Sequence, residues 1–167
     1  RWVIGCVAKG LDYLHTQRRT IHRDIKAANV LLAAGGLVKL ADLGVAAQLY
    51  TTMSKRGTMI GTPHWMAPEA LAQAGETRYD NKVDVWGLGI TAIELAQMAP
   101  PFAEVKSVFQ VMMQIVSGPP PAPDPSVRAS DAFRAFLAAA LDKDPAERPT
   151  AAALAELPFV ADAEPDP

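Results

Sequence analysis

The sequence predicts a mainly α protein of the α+β class, a helical bundle around one buried central helix with a short β-hairpin. Three observations carry this. Val83, Val85, Trp86, Leu88, Ile90, Ile93 and Leu95 lie in one stretch, 83–99, and cannot share a face, so that helix must be buried on most sides. Val30–Leu32 and Leu37–Leu40 are short apolar runs separated by Ala33, Ala34, Gly35 and Gly36, and the glycines supply the positive φ of a tight hairpin. Several further runs carry apolar residues at helical spacing.

In chain order, Val3, Val7, Leu11 and Leu14 place an amphipathic helix over about residues 2–16. After the hairpin, 41–68 has no sustained periodicity and is rich in Thr, Ser, Gly, Lys and Arg in its middle; so long a loop in a small domain is functional or disordered. The central helix is ended by Pro100 and Pro101, which lack the amide donor and clash with the preceding turn. Another helix is expected over 105–116, closed by Gly118 and by Pro119–Pro125, an extended connector on the surface rather than a proline-rich ligand. Ser130 suits the N-cap of a helix reaching about Leu141, and Thr150 the cap of a last short helix. Residues 1–160 are read as one domain and 161–167, acidic and proline-containing, as a linker or tail.

Composition narrows the function classes. Half of the 167 residues are hydrophobic, enough for one core, yet no apolar run approaches the roughly 18 residues of a membrane span. A formal net charge of -2 gives no hint of nucleic-acid binding. Residues 1–60 hold nine Lys/Arg against three Asp/Glu, and 61–167 hold seven against fifteen. A basic first part suits a phosphorylated ligand, although uneven surface decoration gives the same counts. The single cysteine, Cys6, cannot form an internal disulfide and fits a reducing, cytoplasmic setting; its place on an apolar helix face suggests a buried thiol. The chain starts at Arg1, without methionine and inside a helical pattern, so upstream sequence is expected.

The most informative segment is His22-Arg23-Asp24-Ile25-Lys26-Ala27-Ala28-Asn29, between the first helix and the hairpin. Asp42-Leu43-Gly44 begins 18 residues after Asp24, and Ala67-Pro68-Glu69 ends 27 residues after Asp42. In this order and spacing the three resemble the catalytic loop, the metal-binding motif and the activation-segment end of protein kinases. Asp84-Val85-Trp86-Gly87-Leu88-Gly89 resembles the start of that family's central helix, and Asp144–Thr150 its closing motif. The resemblance covers nearly the whole chain and is to the C-terminal lobe. Ile21–Leu32, Lys39–Leu49, Ile60–Glu69 and Asp84–Ala96 look closest to the germinal-centre group of sterile-twenty-like serine/threonine kinases.

The resemblance implies ATP and Mg2+ as cofactors and Ser/Thr-bearing proteins as substrates, in a signalling cascade. Phosphoryl transfer asks a protein mainly for positioning and charge neutralisation, and the residue types suit that. Asp24 orients the substrate hydroxyl and accepts its proton, and Lys26 meets the transferred phosphate. Asn29 and Asp42 are hard oxygen ligands for magnesium. Leu31 floors the adenine pocket, or is ordinary hairpin core, or both. His22 packs against Leu43, which stands where most of the family has phenylalanine. Asp84 bonds to the catalytic-loop backbone, and Arg148 pairs with Glu69. Thr58 is implied as an activating phosphosite with Arg23 as its partner, served by an upstream kinase or by phosphorylation between copies; Thr62 positions Asp24 and Lys26.

The family's N-terminal lobe, with its glycine-rich cover and strand lysine, has no counterpart here. Gly87-Leu88-Gly89 lacks a third glycine and lies in a buried helix, and Val7-Ala8-Lys9 stands too close to Asp24 to be the strand-lysine motif. The residues as given are therefore expected to be inactive alone. A pseudokinase, scaffold or decoy lobe is the competing reading, and the intact Asp24, Lys26, Asn29 and Asp42 argue against it.

Overall fold

The computed structural model describes residues 1–42, 63–72, 80–161 and 163–164. Its elements follow the order α1 (Trp2–Thr16), β1 (Val30–Ala33), β2 (Leu37–Leu40), α2 (Pro68–Ala72), α3 (Lys82–Gln97), α4 (Val108–Ser117), α5 (Asp131–Ala140) and α6 (Ala151–Ala155). Short 3-10 turns occupy Ala27–Asn29, Ala34–Gly36 and Pro63–Trp65. The expectation of a mainly helical bundle with one hairpin holds.

Every residue of α3 from Val83 to Ile93 is buried, so over that length the helix has no solvent face. Full burial of a Val, Leu or Ile side chain is worth about 1.5–3 kcal/mol, and among the described elements α3 contributes the most buried apolar residues to the core. α1 lays Ile4, Val7, Ala8 and Leu11 against the core and packs on α6, β2 and α3. Phe159, after α6, meets Phe133 and Phe136 of α5 at ring-centroid distances of 4.7 and 5.2 Å. Gly87 lets α3 approach the loop before the hairpin: a Cβ there would stand 3.1 Å from the Cβ of Ile25 and 3.3 Å from its carbonyl oxygen.

The strands pair antiparallel, Val30 opposite Leu40 and Ala33 opposite Leu37. Gly35 and Gly36 turn the chain at φ 75° and 76°, angles that a side chain resists. The Trp2 indole donates to the Gly36 carbonyl at 3.1 Å, tying the tip of the hairpin to the start of α1. Leu32 is 70% exposed on one face of the hairpin, and Leu31 and Leu37 are each 51% exposed on the other.

Three boundaries or burials differ from the sequence reading. α4 begins at Val108 and not Val105, because the Ser107 hydroxyl caps it by accepting the Gln110 amide at 3.4 Å. α3 stops at Gln97, before the prolines act directly: Met98 takes a left-handed conformation at φ 62°, ψ 19° and turns the chain away. Cys6 is half-buried rather than buried, facing a groove of about 250 Å³ with Val7, Gly10, Leu14, Val38 and Leu40. Burial pushes its thiol pKa up, with the Lys9 ammonium pulling the other way. Ser130 and Thr150 cap α5 and α6 by accepting the amides of Phe133 and Ala153, both at 3.1 Å. Of 161–167, only Ala161, Ala163 and Glu164 are among the described residues.

Candidate functional site

Asp84, in the first turn of α3, is 1% exposed, so its carboxylate must be matched by donors. It accepts the His22 amide at 2.8 Å on Oδ2 and the Arg23 amide at 2.7 Å on Oδ1. His15 Nε2, at the end of α1, stands 2.7 Å from the same Oδ2. One buried acid thus holds the backbone entering the 22–29 loop and joins it to α1. Arg23 is held there at φ 70°, and Asp42, across the hairpin, sits at φ 61°. Neither is glycine, so both angles are maintained by their surroundings.

The His22 ring links the loop to the far strand. Its Nδ1 accepts the Asp24 amide at 3.4 Å, which leaves Nε2–H to donate to the Ala41 carbonyl at 3.0 Å. The Ala41 amide in turn donates to the Asn29 carbonyl at 2.9 Å. Asn29 and Asp42 therefore lie at the same open end of the hairpin, one before β1 and one after β2.

Asp24, Lys26 and Asn29 converge on one carboxylate. Lys26 Nζ is 2.7 Å from Asp24 Oδ2, and Asn29 Nδ2 donates to that oxygen and to the Asp24 carbonyl, both at 2.8 Å. Lys26 and Asp24 are partly open to solvent, whereas Asn29 is buried. The Asp24 carboxylate is fixed in direction yet accessible, as a group that must receive a proton from an incoming hydroxyl has to be. Asp42 is exposed, and so is Leu31 on the first strand of the hairpin.

The donor set suits a hard divalent cation. The Asn29 amide nitrogen is committed to Asp24, leaving its oxygen, and Asp42 supplies a carboxylate. Among the described residues no group of three or more His, Cys, Asp or Glu could hold a metal ion. A site of one or two protein oxygens is what magnesium uses when water and phosphate oxygens complete its shell.

Glu69 and Arg148 meet away from this site. The guanidinium donates to both carboxylate oxygens, at 2.6 and 2.7 Å, and also to the carbonyls of Asp142 and Lys82 at 2.7 and 3.1 Å. Its Cζ lies 5.0 Å from the centroid of the Trp86 ring. The pair locks α2 to the segment before α6. Leu43, Thr58 and Thr62 lie outside the described residues, as do the ring contact expected between His22 and Leu43 and the pairing expected between Arg23 and Thr58.

Two residues of this network escape a reading of the sequence. His15 occupies the core face of α1, four positions after Leu11, and a polar residue in that register is the available signal. Glu94 is the only charged residue of α3 after Asp84, and its Oε2 accepts the Ala27 amide at 3.0 Å and the Trp65 indole at 2.8 Å.

Residues 1–160 match the family model described as protein kinase domain. Serine/threonine-protein kinase dst1 of Dictyostelium discoideum is 51% identical over 152 residues, 91% of this chain and 20% of that protein. Serine/threonine-protein kinase cst-1 of Caenorhabditis elegans is 48% identical over 161 residues, 96% of this chain and 31% of that protein. The protein of the same name from Caenorhabditis briggsae is 48% identical with 96% and 32% covered. The chain spans between a fifth and a third of the length of these relatives.

Proposed function

Since this chain belongs to the protein kinase domain family, with serine/threonine kinases as its relatives, we propose that it forms the catalytic-loop-bearing lobe of an enzyme that moves the γ-phosphate of ATP to Ser or Thr hydroxyls of proteins in a signalling cascade. The observation that carries the reading is the Asp24 carboxylate, oriented by Lys26 and Asn29 and still open to solvent. Asp24 orients the acceptor hydroxyl and takes its proton as the new P–O bond forms and the bond to ADP breaks. Lys26, already beside that carboxylate, offsets the negative charge of the phosphoryl group in flight.

Asn29 and Asp42 hold magnesium, which when bound neutralises charge on the triphosphate. Leu31 provides an apolar surface for the adenine. Thr58 accepts an activating phosphate from an upstream kinase or another copy, and Arg23 pairs with it to order the segment. Thr62 holds Asp24 and Lys26 through its hydroxyl. The cytoplasm is the setting this chemistry implies; among the described residues no helix is long and apolar enough to cross a membrane.

Paired substitutions in the full-length protein test the assignment. Asp24→Asn removes the proton acceptor and leaves the nucleotide contacts, so transfer falls at least about a hundredfold while ATP binding stays near normal. Asp42→Asn weakens binding of the magnesium nucleotide itself. Near-normal turnover in Asp24→Asn refutes the role given to that residue.

A further inference from the structure

A groove of about 440 Å³ that shares no residue with the Asp24 site lies between segments far apart in the chain. Ile4 of α1, Leu95 of α3, Phe133 of α5 and Phe159 after α6 form its apolar walls. Ile4 and Phe133 are buried and the Phe133 and Phe159 rings meet at 4.7 Å, so the core fixes this floor in place. The rim is open. Leu95 is 41% exposed, and Met98, just past the end of α3, is 88% exposed, so apolar surface continues beyond the groove.

Two guanidinium groups border these walls. Arg1, at the start of α1, and Arg128, in the segment before α5, both line the groove and both are exposed. Among the described residues no carboxylate lines it, and Asp131, the acid next to it in sequence, is paired with Arg134 at 2.6 Å. The Ser130 hydroxyl accepts the Phe133 amide and keeps its own proton to donate. The chemistry that fits is an apolar group for the walls and negative charge for the rim.

We propose that this groove binds a linear segment of a partner protein, with one large apolar side chain seated against Phe133 and Phe159 and acidic residues beside it meeting Arg1 and Arg128. Two features favour a peptide over a small amphipathic anion. The apolar surface runs out past Leu95 to Met98, which a ligand confined to the cavity leaves bare. The arginines stand on separate segments, so acids spaced along a chain can meet each of them. Arginine and aromatic side chains are also the ones that most often dominate binding energy at protein contacts. The proposal goes beyond phosphotransfer and does not rest on it.

The test selects random dodecapeptides, displayed on phage, for binding to the full-length protein. They are counter-selected on its Ala96→Trp variant, in which an exposed position lining the groove carries a ring that fills it. The consensus peptide is then made with a fluorescent label and its Kd read by anisotropy. The expected consensus has a Leu, Phe or Trp flanked by Asp or Glu. Kd rises by about tenfold or more in Arg128→Glu, and by as much when the apolar anchor of the peptide becomes Ala. Added salt weakens binding. Asp24→Asn binds the peptide as the unsubstituted protein does.

No consensus after counter-selection, a consensus lacking either acids or an apolar anchor, or an unchanged Kd in Arg128→Glu each overturns the proposal. Two other occupants give results of their own. Dodecanoate that displaces the peptide and binds more tightly than it overturns the proposal in favour of a lipid-like anion. A dimer in sedimentation that Arg128→Glu converts to monomers means that a second copy fills the groove, and overturns it as well. If Ala96→Trp does not fold, Leu95→Glu, at a half-exposed wall position, serves for the counter-selection. A protein that binds the peptide but transfers no more phosphate than Asp24→Asn refutes the kinase reading and leaves this one standing.

Discussion

At the scale of single residues, the loop around Asp24 depends on one acid beneath it. Asp84 accepts the amides of His22 and Arg23 and contacts His15, and no water replaces these partners in a side chain 1% exposed. Asp84→Asn turns one acceptor oxygen into a donor, which must then face another donor. Bonds to a charged group are worth about 1.5–3 kcal/mol each, so a loss of about 3 kcal/mol in stability is expected, together with a fall in transfer rate. Thermal melting of the full-length variant checks the first, and kcat the second; an Asp84→Asn protein with unchanged melting and turnover would contradict this. The motif residues are legible because Asp24, Lys26 and Asn29 are neighbours in sequence. His15 and Glu94 are not, since each acts on residues far along the chain, Glu94 on an amide 67 positions away. Periodicity alone says that such a residue lies on an inward face and not what it meets there.

At the scale of elements, the type and order of helices are readable and their ends less so. α3 declares itself by being apolar all round, and α1 by its spacing. The start of α4 falls later than its apolar pattern suggests because Val105 and Val108 are equally apolar, and the boundary is decided by the Ser107 cap. α2 is invisible to periodicity, having five residues and no period to detect. What holds so short a helix is the Glu69–Arg148 pair, with Arg148 fully enclosed and stacked near Trp86. Glu69→Gln leaves a buried guanidinium opposite a neutral amide, at a cost of about 3–5 kcal/mol. For a domain of this size that corresponds to a fall of roughly 10 °C in Tm, and an unchanged melting curve would show the pair to be dispensable.

At the scale of the whole molecule, the hairpin leaves Leu31, Leu32 and Leu37 exposed, Leu31 and Leu37 on one face of the ribbon and Leu32 on the other. Apolar exposure concentrated on so small an element marks surface that something covers, or that associates. Residues 1–167 alone are expected to self-associate in sizing chromatography with light scattering, and Leu32→Lys with Leu37→Lys to reduce this. They are also expected to transfer no phosphate above an Asp24→Asn control, because the glycine-rich cover and strand lysine that hold the triphosphate in this family have no counterpart among residues 1–167. Robust transfer would show that the hairpin side of the site suffices. The lobe can be recognised from the sequence because its motifs are spread from Ile21 to Thr150 and so constrain the whole fold. What meets the exposed leucines of the hairpin is a property of surfaces, which no spacing encodes.

The left-handed backbone at Asp42 sets two kinds of selection against each other. A side chain at φ 61° carries strain on the order of 1 kcal/mol, which glycine would not, although glycine returns part of the gain through its freer unfolded chain. The Asp42 side chain is exposed and fills no core space, so nothing in packing defends it. A randomised library of the full-length protein sorted for resistance to heat should drift toward glycine at position 42, while the same library sorted for phosphotransfer should keep aspartate. Deep sequencing of the two pools would show the divergence at that codon, and aspartate retained equally in both would mean that its angle costs the fold nothing.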